Sequence, residues 1–337
     1  MTTTTWPVDP RRIADPFGER APLALSRRYG LLGATFDFLS DSPELLALVD
    51  AAYGGLPAHE LDGPTLRVEL RMAEDDAAFT AEPPRPRMLG GAGLVGATVD
   101  ARNLVIVQPE AGRAVVQLSR SMLGFGYHAR YELIEFAVFQ LAARTQGLVA
   151  LHAGCVGLDG VGALLMGVSG AGKSTLTLHA ALQGLDFLTE DGSFVEPRTL
   201  RATGVANFLH LRFDALAWID DAAVRARAQA SPVIRRRSGV EKFELDLRGG
   251  WVRLAAQPLR LRHLVFASSE PGRAGALLRA LSTDELLERL HGDQAYAMGQ
   301  PGWPAFVQGC RQLHGWVLAR GAHPAEGAAA LRSLLMG

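Results

Sequence analysis

The chain has 337 residues, 48% of them hydrophobic and 20% charged, with 34 basic and 35 acidic side chains and a net charge of −1. That is the balance of a globular protein with a buried core, and it lacks the positive field that nucleic-acid binding needs. No apolar run reaches the roughly 18 residues of a membrane helix, and the start, MTTTTWPVDPRRIADPFGER, has no apolar stretch of a secretory leader. Neither nucleic acid nor membrane is therefore expected as a partner. Cys155 and Cys310 are too few for a disulfide framework or a cysteine-based zinc site, so both are expected as buried thiols and the compartment as the cytoplasm.

Residues 1–28 are polar, contain proline and arginine, and read as a loosely docked arm. Residues 29–125 read as a smaller α+β N-terminal domain. Within it LLGATFDFLS alternates like a strand, and DSPELLALVDAAYGG carries a helix start with Pro43 in its first turn and a stop at Gly54. TLRVELRM alternates strictly. The stretch AEDDAAFTAEPPRPRMLGGAG reads as a loop or linker. LVGATVDARNLVIVQPEAGRAVVQLS reads as an antiparallel meander turning near Ala101–Asn103 and Glu110–Gly112.

Residues 126–337 read as a second domain. It opens with a helix, Tyr127 to Gly147, followed by two strands, Leu148–Val156 and Gly162–Val168, joined by the turn GLDG. A glycine-rich loop, a helix from about Gly172 to Gln183 closed by Gly184, and the short strand DFLTED come next. The remainder alternates strands (FVEP, NFLHLRF, EKFELDL, LRHLVFAS) with helices, the last helical reading covering WPAFVQGCRQLHGWVLARG.

The loop GVSGAGKST is the most informative stretch. Gly167, Gly172, Lys173 and Ser174 satisfy the G-x-x-x-x-G-K-[ST] pattern between a strand and a helix. Glycines let the backbone curl so that successive N–H groups face phosphate oxygens, and the helix adds its unpaired N–H groups and positive end. Gly167, Ser169, Gly170, Ala171, Gly172, Lys173, Ser174 and Thr175 are the expected nucleotide contacts. Lys173 reaches the outer phosphates, and the Ser174 hydroxyl suits magnesium. Lys173 and Lys242 are the only lysines among the 34 basic residues. A compact ammonium is what arginine's fork cannot replace in a tight site.

The loop alone does not name a reaction. His152 lies on the strand before the loop strand, and Glu190 and Asp191 close the strand after the loop helix. Adjacent carboxylates at that edge suit two tasks, holding magnesium and accepting a proton from an attacking hydroxyl. Each feature has a plainer reading: His152 as a core histidine satisfied by backbone, and the acidic pair as a solvated turn. His179 and His210 read as packing or surface residues.

Taken together, LHAG and GALLMGVSGAGKSTLTLHAALQGLDFLTEDGSFVEP resemble the catalytic core of the HPr kinase/phosphorylase family and the wider group of HPr-kinase-like serine kinases. His152 stands 15 positions before Gly167, and the acidic pair follows it by 23 and 24, in agreement with that family's pattern. The resemblance implies an α/β P-loop kinase core of the HPr-kinase type with a mixed sheet, ATP and Mg²⁺, and transfer to a serine hydroxyl. It implies Glu190 as base, where the family carries aspartate, Asp191 with Ser174 as magnesium ligands, and His152 beside the base. Lys173 completes the catalytic set.

Between Arg225 and Arg262 ten basic side chains face three acidic ones, a net charge of +7. SPVIRRRSGVEKFELD reads as a mobile loop feeding a strand. Arg235, Arg236, Arg237 and Lys242 are candidates to cover the transferring phosphoryl group or grip an acidic substrate, with a solvated basic surface as the alternative. The function expected is an ATP-dependent serine kinase acting on a protein or peptide, such as a precursor-peptide tailoring kinase. A small-molecule kinase and a non-catalytic ATP-binding regulatory module are the alternatives. Assembly into a homo-oligomer stays open.

Overall fold

The computed structural model describes residues 23–73, 79, 81–272 and 276–337. It is a mixed α/β structure with three sheets, two of which combine parallel and antiparallel strands.

The first sheet contains β1 (Leu25–Leu31), β2 (Gly33–Ser40), β3 (Glu60–Ala73), β4 (Arg87–Gly91), β5 (Leu94–Thr98), β6 (Leu104–Gln108) and β7 (Arg113–Ser119), in the order β1-β2-β3-β7-β6-β5-β4. Helix α1 (Pro43–Tyr53) starts where the sequence places it. Ser42 caps it by accepting from the Leu45 N–H, and Pro43 occupies the first turn, where a missing N–H costs nothing. Two expectations change here. Residues 25–28 of the expected arm form the outer half of β1, an edge strand whose Arg27 and Arg28 pair with Asp50 and Asp37; residues 1–22 lie outside the described ones. The expected linker contains β4, while residues 74–78 and 80 lie outside the described ones.

After β7 come two short helical turns, α2 (Arg120–Leu123) and α3 (Gly126–His128), a π-helical segment Ala129–Ile134, and α4 (Glu135–Gln146). This helix buries Ala129, Leu133, Ile134, Val138 and Leu141 in the same core as β2, β3 and β7, a core that Leu148, Phe194 and Val205 join.

The second sheet is built on β8 (Val149–His152), β9 (Gly154–Leu158) and β10 (Val161–Met166). The single strand expected over Leu148–Val156 is thus broken at Ala153, because His152 pairs with Gly192 while Gly154 pairs with Leu165. Next in chain order are α5 (Lys173–Leu182), β11 (Asp186–Thr189), β12 (Gly192–Glu196), β13 (Arg201–Gly204), β14 (Phe208–Leu211), α6 (Ala222–Gln229), β15 (Val233–Arg235), β16 (Glu241–Asp246), β17 (Leu259–Pro271), β18 (Leu278–Leu281), α7 (Thr283–Asp293), α8 (Trp303–Cys310), β19 (His314–Arg320) and α9 (Pro324–Met336). The order is β11-β9-β10-β17-β13-β12-β8, with β19 also paired to β17 and β18 to β19. Strands β14, β16 and β15 make a small antiparallel sheet. Of the stretch read as a terminal helix, only α8 is helical; His314–Arg320 pairs parallel to β17.

Strand β10 is an apolar run because both its faces are covered. Ala163 and Leu165 pack with α5 and α9, and Leu164 and Met166 with α7 and α8. Cys155 and Cys310 are buried free thiols. Among the described residues no helix is long and apolar enough to cross a membrane.

Candidate functional site

The glycine-rich loop leaves the end of β10 and enters α5. Gly170 and Gly172 have φ of +88° and +87°, a conformation that only glycine adopts without strain, and open space lies where their Cβ atoms would stand. Among the described residues no side chain caps α5, whose N-cap is Gly172. Its first N–H groups therefore point into the cavity with the positive end of the helix. Lys173 is buried and donates from Nζ to the Gly167 carbonyl oxygen at 2.6 Å, which folds the ammonium over the loop. Curled backbone, helix end and folded ammonium together fit a chain of phosphates.

Strands β10 and β11 both run antiparallel to β9, so they end on one edge of the sheet. That places Glu190 and Asp191 beside the loop. Gly154, the last residue of the LHAG stretch, permits this approach: a Cβ there would stand 2.8 Å from the Glu190 carbonyl oxygen. The two carboxylates have different surroundings. Glu190 is 5% exposed, and both of its oxygens are engaged. Oε1 accepts from the Ser174 hydroxyl, and Oε2 accepts from the His210 N–H at 2.8 Å and lies 3.1 Å from His210 Nδ1. Asp191 is 36% exposed and pairs with His152, whose Nδ1 is 2.9 Å from Oδ1.

Electrostatics follow those contacts. Burial works to raise the Glu190 carboxyl, but the hydrogen bond and charge of His210 outweigh it and hold the group below its usual range. For Asp191 the hydrogen bond and charge of His152 overcome burial and bring the carboxyl to about 2. His152 is raised in turn, chiefly by its hydrogen bond to Asp191. Burial opposes charge on His210, yet hydrogen bonds to Glu190 and Glu244 raise it; Nε2 lies 3.3 Å from Glu244 Oε1.

His210 is the cavity-lining residue that sequence reasoning missed. It reads as a packing or surface residue because the two carboxylates that flank it arrive from positions 20 residues before and 34 after. The alternation of NFLHLRF was the available signal, since it puts His210 on the face opposite Leu209 and Leu211, which are core residues.

The basic stretch is a hairpin of β15 and β16 rather than a loop feeding one strand. Its four candidates separate. Arg236 and Lys242 line the cavity with His210 and Asp191. Arg236 Nη2 is 3.2 Å from His210 Nδ1, and its guanidinium lies 4.9 Å from the Tyr131 ring centre. Arg237 faces away and is a structural clamp: it donates to both Glu132 oxygens at 2.6 Å and to the Pro83 and Pro84 carbonyls. Arg235 is exposed and pairs across the hairpin with Glu241, outside the cavity lining.

The cavity has a volume of about 680 Å³, within the range of small-ligand pockets. Of the expected nucleotide contacts, Ser169–Thr175 line it, and Gly167 forms the loop's base. His152, Glu190 and Asp191 close one end; Trp218, Arg320 and His323 line another part. Arg212 and Asp214 also line it, as an exposed pair 3.2 Å apart. Among the described residues no group of three or more His, Cys, Asp or Glu side chains is arranged to hold a metal. Magnesium carried by phosphates takes only one or two protein ligands, and Ser174 Oγ with an adjoining carboxylate oxygen would be the groups to supply them.

No family model matches the chain, and no curated protein matches it. Among solved structures, the Hpr(Ser) kinase/phosphatase from Coxiella burnetii is similar over 56% of this chain and 97% of its own, at 12% identity and a TM-score of 0.26. A score that low assigns no shared fold.

Proposed function

We propose that the protein is a kinase that moves the γ-phosphoryl group of ATP to a serine hydroxyl on a protein or peptide. The observation that carries the reading is the meeting of a complete phosphate loop with Glu190, Asp191 and His152 in one cavity. Phosphoryl transfer asks for positioning and charge neutralisation more than for covalent chemistry. The loop amides and Lys173 hold the β- and γ-phosphates. Arg236 and Lys242 flank the position where charge develops in the transition state.

The environments of the two carboxylates favour exchanging the roles that the family resemblance implies. Glu190 is buried, and Ser174 and His210 fix its oxygens, which suits a group on the magnesium side of the phosphates. Asp191 is more open to an incoming hydroxyl and is backed by His152. In this reading the acceptor oxygen attacks phosphorus, the bond to the bridging oxygen of ADP breaks, and the hydroxyl proton passes to Asp191. His152 holds the Asp191 carboxyl below its usual range, so Asp191 is ionised and able to accept. Magnesium held by the Ser174 hydroxyl and Glu190 would neutralise phosphate charge.

The test is incubation of the full-length chain with γ-labelled ATP, magnesium and peptides encoded beside its gene, followed by mass-spectrometric site mapping. Label on a serine that disappears with Asp191→Asn supports the kinase. ATP binding with no transfer to any acceptor favours the regulatory module.

A further inference from the structure

Behind Glu190 runs a file of buried charged side chains that leads out of the cavity. His210 joins Glu190 to Glu244, the Arg130 guanidinium donates to the same Glu244 Oε1, and Arg130 Nε lies 3.3 Å from Glu135 Oε1. All five side chains are buried. The last two belong to the helix that packs on the first sheet, and Arg130 sits in its π-helical segment. Inserting a residue into a helical turn re-aims the side chains that follow, and such turns gather at functional sites. The Arg130 guanidinium also lies 4.3 Å from the centre of the Phe208 ring, so its face is held as well as its edge.

Packing does not account for this file. Taking an arginine and three glutamates out of water is costly before pairing, and apolar side chains of similar volume would usually cost less. The arrangement has a direction instead. Each member fixes the next: Arg130 fixes Glu244, Glu244 fixes the far side of the His210 ring, and His210 fixes Glu190 Oε2. That leaves Oε1 facing Ser174.

We propose that Arg130, acting through Glu244 and His210, is a positioning residue for Glu190, so that the helix of the first sheet completes the magnesium side of the phosphate site. The inference rests on the kinase reading and deepens it by giving the first sheet a part in the site. Side chains that orient the groups around a metal typically change affinity or activity about 10- to 100-fold when removed. Neither Arg130 nor Glu244 lines the cavity, so neither touches the nucleotide.

The test measures ATP affinity of the full-length chain by calorimetry, with magnesium and again with EDTA in its place. In the parent, magnesium tightens binding. In Arg130→Met, about tenfold of that tightening is lost, while the affinity for metal-free ATP is unchanged; Arg130→Lys, which keeps the charge, recovers part of it. Should Arg130→Met fail to unfold cooperatively, Glu244→Gln keeps the shape, removes the charge at the middle of the file, and is expected to show the same loss. A folded Arg130→Met or Glu244→Gln with the parent's full magnesium effect overturns the inference and leaves the kinase reading standing. A parent with no magnesium effect overturns both.

Discussion

The glycine-rich loop and the acidic wall beside it are made in different ways. The loop is one run of residues, Gly167–Thr175, shaped by backbone: positive φ at Gly170 and Gly172, and the bare start of α5. The wall gathers His152, Glu190, Asp191 and His210 from distant parts of the chain, with Glu244 and Arg130 behind it, and each group is held by another's charge. A backbone site depends on conformations that neither pH nor salt changes. A wall of paired charges depends on every partner's protonation and placement. The same cavity therefore has a rigid anchor and a tunable side.

Asp191→Asn should have the largest effect. It keeps the side chain's shape, removes the proposed proton acceptor, and is expected to lower transfer about 10³-fold while ATP affinity stays near the parent's. Steady-state kinetics beside calorimetry separate the two; a parallel loss of affinity would merge wall and anchor into one function. On the loop, Gly172→Val forces a β-branched residue to φ near +87°. A strain of about 1–3 kcal/mol should weaken ATP binding roughly tenfold or more, equally with and without magnesium.

Arg237→Ala acts on neither. It cuts the clamp from the hairpin to Glu132 and the Pro83–Pro84 carbonyls and should cost about 2 kcal/mol in denaturant unfolding, with ATP affinity unchanged. The smallest effect is on pH dependence. His152 is raised above its ordinary 6.5, so its contribution is full below that value and fades as pH rises through the raised one. Asp191 is lowered from 3.8 to about 2, so its contribution is present above 3.8 and is lost as pH falls through about 2. The stability gap between the parent and His152→Asn should thus be widest between about pH 4 and 6.5. Both groups are partly exposed, so screening keeps the gap small. A gap that does not vary with pH would remove His152 and Asp191 from the set of coupled charges.

Legibility in the sequence divides along the same line. Ser42, Pro43 and Gly54 mark α1, and the loop pattern marks the anchor, because caps and glycine turns are local chemistry. Strand β1 was hidden because its outward arginines read as a polar arm, although they pair with Asp37 and Asp50. Strand β19 was hidden because HGWVLAR also suits a helix, and only parallel pairing with β17 decides it. His210 and Glu244 became visible only when β14 and β16 paired, His210 opposite Glu244. The three consecutive arginines carried no hint that one lines the cavity, one clamps and one is solvated; strand alternation and the hairpin turn settle that.

The most direct test is isothermal titration of the full-length chain with magnesium ATP, beside Lys173→Ala. A working phosphate site predicts one equivalent bound by the parent and binding weaker by about 100-fold in the variant, as expected for loss of a charge-assisted phosphate contact in a dry site. Equal affinity in the two proteins, or no binding by the parent, would contradict it.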